Sequence, residues 1–373
     1  MIKNFILCLG GGVYQKHLIE EIKKIKNCKP IVVDADSSCI CFKEVKYKIN
    51  LDINKTDLIL NKLKDLKIKK KNIIAVATQA ARSAPRQVSV LSKKLNCKSL
   101  SVNTAKLLEN KYLLSRKFNK LLNPKEYKKI YDLKKRSFPY LIKLNNTSGG
   151  TGIKKIIKKK DLNYYFNTLT NSDFYVEKFV KSKSFNIIGF KLNKKIKYYG
   201  IFEKKINNNF STKCIFYSKE NYTNNLHILD FCNKVLNKVK FDHGPFNFEV
   251  FEDNEKNLFV AEIEPSLIGG NIAKYLCYEA SSESIVKDYL NYYLNLKIKF
   301  SLILKRKYLS LNYFYSNQEY KNFFTDLKRK NITYKVIKKI NLLKYKKKGL
   351  ANYLLFINFT KRKNFDKYLN FLN

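Results

Sequence analysis

The chain has no tryptophan, one methionine, three histidines and six prolines, and it sets only 30 acidic residues against 75 lysines and arginines. Each shortage excludes something. Cys39 and Cys41 are the only close pair among eight scattered cysteines, and His17, His227 and His243 do not cluster with them, which argues against a zinc site. Cysteines in apolar stretches read as small core residues, and reduced thiols imply a cytoplasmic setting. The longest apolar run, near residue 353, is far below a membrane span. Residues 5–9 are too short for a signal-peptide core and no small-residue cleavage site follows them. No internal repeat and no low-complexity linker is present.

The formal charge of +45 invites a nucleic-acid reading, because basic surface tracks phosphate. The same chain is flooded with Ile, Asn, Tyr and Phe and is poor in Ala and Arg, the pattern of an AT-rich coding sequence with lysine as its default surface residue. Its lysine runs, such as Lys69 to Lys71 and Lys346 to Lys348, are spread along the chain and read as solvated faces. No aromatic RNA-binding pattern and no helix-turn-helix accompanies them, so neither a specific nucleic acid nor a membrane is expected as partner.

At 373 residues the chain exceeds the size at which single cores stop growing, so two or three subdomains are expected. Residues 4–9 read as a buried strand entering the turn Gly10-Gly11-Gly12. His17 to Ile25 has helical spacing, and Pro30 to Asp34 is the next strand. A dinucleotide fingerprint would need a third glycine where Gln15 stands. Ile73 to Thr78 is a further strand, followed by a loop from Gln79 to Arg86. Open α/β sheets place ligands at such strand ends, which makes Arg82 and Arg86 candidate anchors for an anionic substrate. Near the C-terminus, residues 308–314 and 352–359 read as strands with a helix over 318–328 between them.

The chemistry concentrates in three places. Phe246-Asn247-Phe248-Glu249-Val250 and Phe259-Val260-Ala261-Glu262-Ile263-Glu264-Pro265 flank a polar turn and read as a β-hairpin. Glu262 and Glu264 point the same way, and Glu249, 13 positions before Glu262, can come alongside across the hairpin. Converging carboxylates repel unless a cation sits among them, and hard oxygen donors suit Mg²⁺ shared with phosphate oxygens. A solvated hairpin face is the plainer alternative for two acidic residues alone. Second, the strand Phe138 to Leu144 carries one embedded cation, Lys143, and runs into Ser148-Gly149-Gly150-Thr151-Gly152, whose backbone N–H groups can close over phosphates. An ammonium buried between apolar neighbours is costly unless phosphate supplies the counter-charge. Third, Asp173 to Val180 is an apolar strand passing into a linker, and a helical turn upstream carries Lys111.

In order and spacing, Asn110-Lys111, Ile142-Lys143 with its glycine loop, Glu177-Lys178-Phe179-Val180, Glu249 and Glu262-Ile263-Glu264-Pro265 resemble the ATP-grasp superfamily, of the carboxylate–amine ligase type. The resemblance runs over roughly residues 1–300. It implies a mixed α/β and α+β protein with a three-layer substrate domain over 1–103, a two-lobed ATP-grasp domain over 104–297 and a small αβ subdomain over 298–373. It implies ATP with Lys111 and Lys143 on its phosphates, Ser148 to Gly152 as a lid, and Glu177 with the backbone of Lys178, Phe179 and Val180 at the adenine. Glu249, Glu262 and Glu264 would hold Mg²⁺, and Mn²⁺ in its place is compatible. The substrates implied are a small carboxylate, activated as an acylphosphate, and an amine; a homodimer is compatible with all of this. Two departures stand out. The family's Glu-x-Asn-Pro-Arg ends here in Ser266, and its acidic ribose contact is Ser184. A catalytically impaired relative and a basic polyanion-binding protein are the alternatives.

Overall fold

The computed structural model describes residues 4–79, 84–126, 138–145, 147, 152–158, 160–161, 164, 173–269, 271–345 and 351–372. The N-terminal unit is a parallel sheet of β1 (Asn4–Leu9), β2 (Cys28–Asp34), β3 (Tyr47–Asn50) and β4 (Ile73–Ala77), in the order β3-β2-β1-β4. Its strands are apolar on both faces because both are covered. Ile6 and Cys8 pack with Leu18 and Ile22 of α1 (Lys16–Lys23). Phe5, Leu7 and Leu9 face the opposite way, onto Ile59 and Leu63 of α2 (Thr56–Asp65) and Val88 and Leu91 of α3 (Ala84–Leu95). The region expected to be a loop up to Arg86 is already helix from Ala84, so Arg86 sits on the first turn of α3. Asp34 accepts a hydrogen bond from the Gly11 N–H at 2.6 Å, so the glycine turn is closed by the chain's own carboxylate.

The expected single helical turn around Lys111 is two helices, α4 (Val102–Glu109) and α5 (Lys111–Phe118). They break at Asn110, whose side chain caps α5 by accepting from the Leu113 N–H. A small antiparallel sheet follows, β5 (Lys125–Glu126), β6 (Tyr140–Leu144), β7 (Lys154–Ile156) and β8 (Phe174–Lys178), ordered β5-β8-β6-β7. Then comes a large antiparallel sheet: β9 (Ser182–Leu192), β10 (Lys195–Ile206), β11 (Thr212–Ser218), β12 (His243–Asp253), β13 (Leu258–Glu264), β14 (Tyr308–Phe314), β15 (Lys335–Asn341) and β16 (Tyr353–Phe359). Its order is β13-β12-β9-β10-β11-β14-β16-β15, so the C-terminal strands continue this sheet through the β11–β14 pairing.

One face of the large sheet, with Phe185, Ile187, Phe246 and Phe248, packs on α6 (Leu226–Lys238). The other face shares one core with the N-terminal unit and α7 (Ile285–Tyr293), through Phe190, Tyr199, Ile285 and Tyr289. Gln79, fully buried, fastens the two sheets together. It donates from Nε2 to the Ile268 carbonyl at 3.0 Å and accepts from the Leu18 N–H at 3.1 Å, while its own N–H reaches Gln15 Oε1 at 2.8 Å. Among the described residues no helix is long and apolar enough to cross a membrane.

Candidate functional site

A cleft of about 350 Å³ opens between the small sheet and the large one. Leu141 and Ile153 wall it from one side, and Phe251, Phe259 and Ala261 from the other. Of the residues singled out from sequence, Lys111, Lys143, Glu177, Lys178, Phe179, Val180, Ser184, Glu249 and Glu262 all line it. Arg82, Ser148, Gly149, Gly150 and Thr151 lie outside the described residues. Gly152 has φ +77°, and a Cβ there would meet Leu144 Cδ1 at 2.4 Å, so this turn requires glycine.

The carboxylates meet as their spacing suggests. Glu249 and Glu262 are direct cross-strand partners on β12 and β13, and Glu264 stands opposite Asn247. Burial raises the Glu249 carboxyl, but Lys204, Lys111 and the Ser184 hydroxyl together hold it below its ordinary value. For Glu264 the balance is reversed. Burial and then the neighbouring Glu262 push its carboxyl up to about 8. Among the described residues no three His, Cys, Asp or Glu side chains form a ready-made metal cage. Mg²⁺ does not need one, because it is held by one or two carboxylates together with substrate phosphates. Glu249 and Glu262, hard donors side by side in a cleft, fit that requirement.

The counter-charges differ from expectation. Lys143 is 7% exposed and is already paired, with Glu177, rather than waiting for phosphate. The register explains it: Leu141 opposes Glu177 and Lys143 opposes Tyr175, so the two charges are diagonal neighbours on one face. Glu177, 2% exposed, also accepts from the Ser115 hydroxyl at 2.7 Å, so both of its oxygens already have a donor at the cleft wall. The Phe179 N–H is likewise used, by the Pro139 carbonyl at 3.0 Å. The Ser184 hydroxyl donates to Glu249 at 3.2 Å. Lys111 lies 3.2 Å from Glu262 and donates to the Thr147 carbonyl at 2.6 Å. Ser266 is buried with no hydrogen-bond partner for its hydroxyl.

Three contributors escaped sequence reasoning. Lys204 pairs with Glu249, a contact made only by the alignment of β10, β9 and β12. Ser115 and Asn119 follow Lys111 at four-residue steps, so α5 turns one polar stripe toward the site. Asn119 donates to the Val260 carbonyl at 2.7 Å and accepts the Val260 N–H at 2.8 Å, sealing the outer edge of β13. The helical spacing of 111, 115 and 119 was a signal that could have found them.

Behind the Lys111–Glu262 pair lies a second cavity of about 510 Å³. The N-terminal unit lines it with Asn54, Pro85 and Arg86, and β13 and its exit with Ile263, Glu264 and Pro265. Arg86 Nε is 3.0 Å from Glu109.

No family sequence model matches the chain, and no curated protein matches it by sequence. Solved structures do match. N5-carboxyaminoimidazole synthetase from Staphylococcus aureus, complexed with ADP, superposes with TM-score 0.77 at 17% identity, over 98% of this chain and 96% of that one. L-amino acid ligase from Bacillus licheniformis gives 0.76 at 14% identity, over 99% and 96%. Phosphoribosylglycinamide synthetase from Anaerococcus prevotii gives 0.68 at 13%, over 99% and 97%. At such identities the likeness speaks for architecture alone, and it does so over nearly the whole chain: the protein has the fold of these synthetases and ligases, the ATP-grasp fold.

Proposed function

We propose that the protein is an ATP- and Mg²⁺-dependent ligase that activates a carboxylate as an acylphosphate for attack by an amine. The observation that carries this reading is the convergence, in one interlobe cleft, of Lys111, Lys143 and the opposed carboxylates Glu249 and Glu262. An oxygen of the substrate carboxylate attacks the γ-phosphorus, the bond to the β-phosphate oxygen breaks, and ADP leaves. The amine then attacks the acyl carbon, inorganic phosphate departs, and the amine gives up a proton to solvent. Lys111 and Lys143 neutralise phosphate charge, the apolar walls hold the adenine, and residues 1–103 supply the substrate side. Glu249 and Glu262 would hold Mg²⁺, which would screen charge on the transferring phosphoryl group, and Glu264 would join them on giving up its proton. Reduced cysteines throughout agree with a cytoplasmic setting.

ADP release with ATP, Mg²⁺ and a panel of carboxylates and amines tests this. Turnover that depends on both substrates is expected, and Glu262→Gln should lower kcat by roughly 10²–10³-fold at unchanged melting temperature. Nucleotide binding without ADP release would mark an impaired relative, the reading that the partnerless Ser266 in place of arginine favours. No Mg²⁺-dependent ATP binding would overturn both.

A further inference from the structure

The two cavities share a wall but not a charge. The interlobe cleft is lined by seven lysines against four glutamates, which suits a polyanion. The described lining of the second cavity sets three cations, Arg86, Lys106 and Lys111, against the carboxylates Glu109, Asp173 and Glu262 and the carboxyl of Glu264, which burial and Glu262 push up to about 8. Two of those cations are already engaged. Lys111 faces Glu262 at 3.2 Å, and Arg86 faces Glu109 at 3.0 Å. Asp173 accepts from the Asn145 amide at 2.7 Å, and that amide's oxygen accepts from the Tyr112 N–H at 3.0 Å, which holds the carboxylate at the cavity rim.

A phosphate monoester carries close to two negative charges and needs several uncommitted donors to replace its hydration. Entering here, it would meet a described lining with no cation in excess of its carboxylates. A molecule bearing one carboxylate and one ammonium meets a better match. It can insert into the Arg86–Glu109 pair, its carboxylate taking the guanidinium and its ammonium a carboxylate, with no net charge brought into the cavity. The volume, inside the roughly 300–1,000 Å³ of small-molecule sites, leaves room for such a molecule beside its reaction partner.

We propose that the second cavity binds a small zwitterion of the α-amino-acid class, anchored between Arg86 and Glu109, and that this chain does not act on an amine-bearing ribonucleotide. The proposal rests on the ligase reading above, and its test separates the two. Wild-type protein is titrated calorimetrically with a non-hydrolysable ATP analogue and Mg²⁺. The complex is then titrated with each proteinogenic L-amino acid and with 5-aminoimidazole ribonucleotide, and ADP release from ATP is followed for the same compounds.

The expected result is that one or more amino acids bind the nucleotide complex and drive ADP release, and that the ribonucleotide does neither. Arg86→Gln should then raise the amino-acid KM roughly tenfold or more while the ATP KM stays within about twofold. Should Arg86→Gln fail to fold, Glu109→Gln gives the same split from the other side of the pair. Nucleotide binding with ADP release driven only by the ribonucleotide, or by none of these compounds, overturns the zwitterion proposal and leaves the ligase reading standing. An unchanged amino-acid KM in the folded variant also overturns it. Failure of the ATP analogue to bind strikes the ligase reading itself.

Discussion

Among the described residues three lysines are buried, Lys143, Lys191 and Lys197, and the first and last sit in contrasting settings. Lys143, on β6, borders the interlobe cleft, with one carboxylate partner, Glu177. Lys197, on β10, lies on the same face of the large sheet as Ser184 and Glu249 but further along it, opposite Phe190 and beneath α7. Its side chain is fully buried and it holds two carboxylates, Glu283 and Asp288, with the Tyr199 hydroxyl donating to the same Asp288. The Lys197 cluster is over-supplied with negative charge and closed, whereas the Lys143 pair is balanced and opens onto a cavity. An ion pair alone therefore does not mark a functional lysine. What separates the two is the empty space beside Lys143, into which a ligand's negative charge can come.

The sharpest way to break this comparison is to remove each cation. Lys197→Met leaves Asp288 facing an apolar core, beside a part-exposed Glu283, and should cost about 3–5 kcal/mol of stability, with ATP affinity unchanged in the folded fraction. Chemical denaturation and calorimetry check both halves. Lys143→Met should destabilise somewhat less, because the stranded Glu177 keeps its Ser115 hydrogen bond, but it should also weaken ATP binding strongly. Adding Glu177→Gln to Lys143→Met should then restore most of the melting temperature and none of the ATP affinity. Recovery of both would mean that Lys143 serves only its partner.

The smallest effect comes from another buried base, His17, in α1. Burial and the nearby Lys274 depress its imidazolium to about 4, from an ordinary value near 6.5. The folded state therefore keeps it neutral while the unfolded chain takes up a proton below pH 6.5. Its contribution is complete above that value and is lost as the pH falls toward 4, about 2 kcal/mol between pH 7 and pH 5. His17→Gln should flatten the acid side of a stability–pH curve without touching nucleotide binding. An acid limb identical to wild type would show that other groups control it.

How much of this was legible in the sequence follows from how far apart the partners lie. Glu249 and Glu262 are joined by a short turn, so their meeting could be read from spacing and strand alternation. The parallel N-terminal sheet was legible for a similar reason, since apolar runs alternate with helical ones there. Lys143 and Glu177 are 34 residues apart, and Lys204 and Glu249 are 45 apart; their pairing depends on register across separately folded strands, which no local rule encodes. That is why Lys143 looked unpaired and Glu177 looked without a partner in the sequence. The continuation of the large sheet into residues 308–359 was hidden likewise. Those strands read correctly one by one, but nothing local says which edge they join.

Gln79 has a consequence for how the two cavities can open. Its amide and backbone tie α1 and β4 to the chain leaving β13, so the N-terminal unit and the carboxylate hairpin are fastened to each other directly. Movement of the small sheet, which carries Lys143 and Glu177 into one cavity and abuts Asn145, Thr147 and Asp173 in the other, is then the expected route of access. Distances between labels on the small sheet and on β13 should change with nucleotide, while those between residues 79 and 268 should not. One hinge would then serve both compartments. Nucleotide and acceptor could not be exchanged independently, and discharge of ADP and of the ligated product would fall to a single gating step.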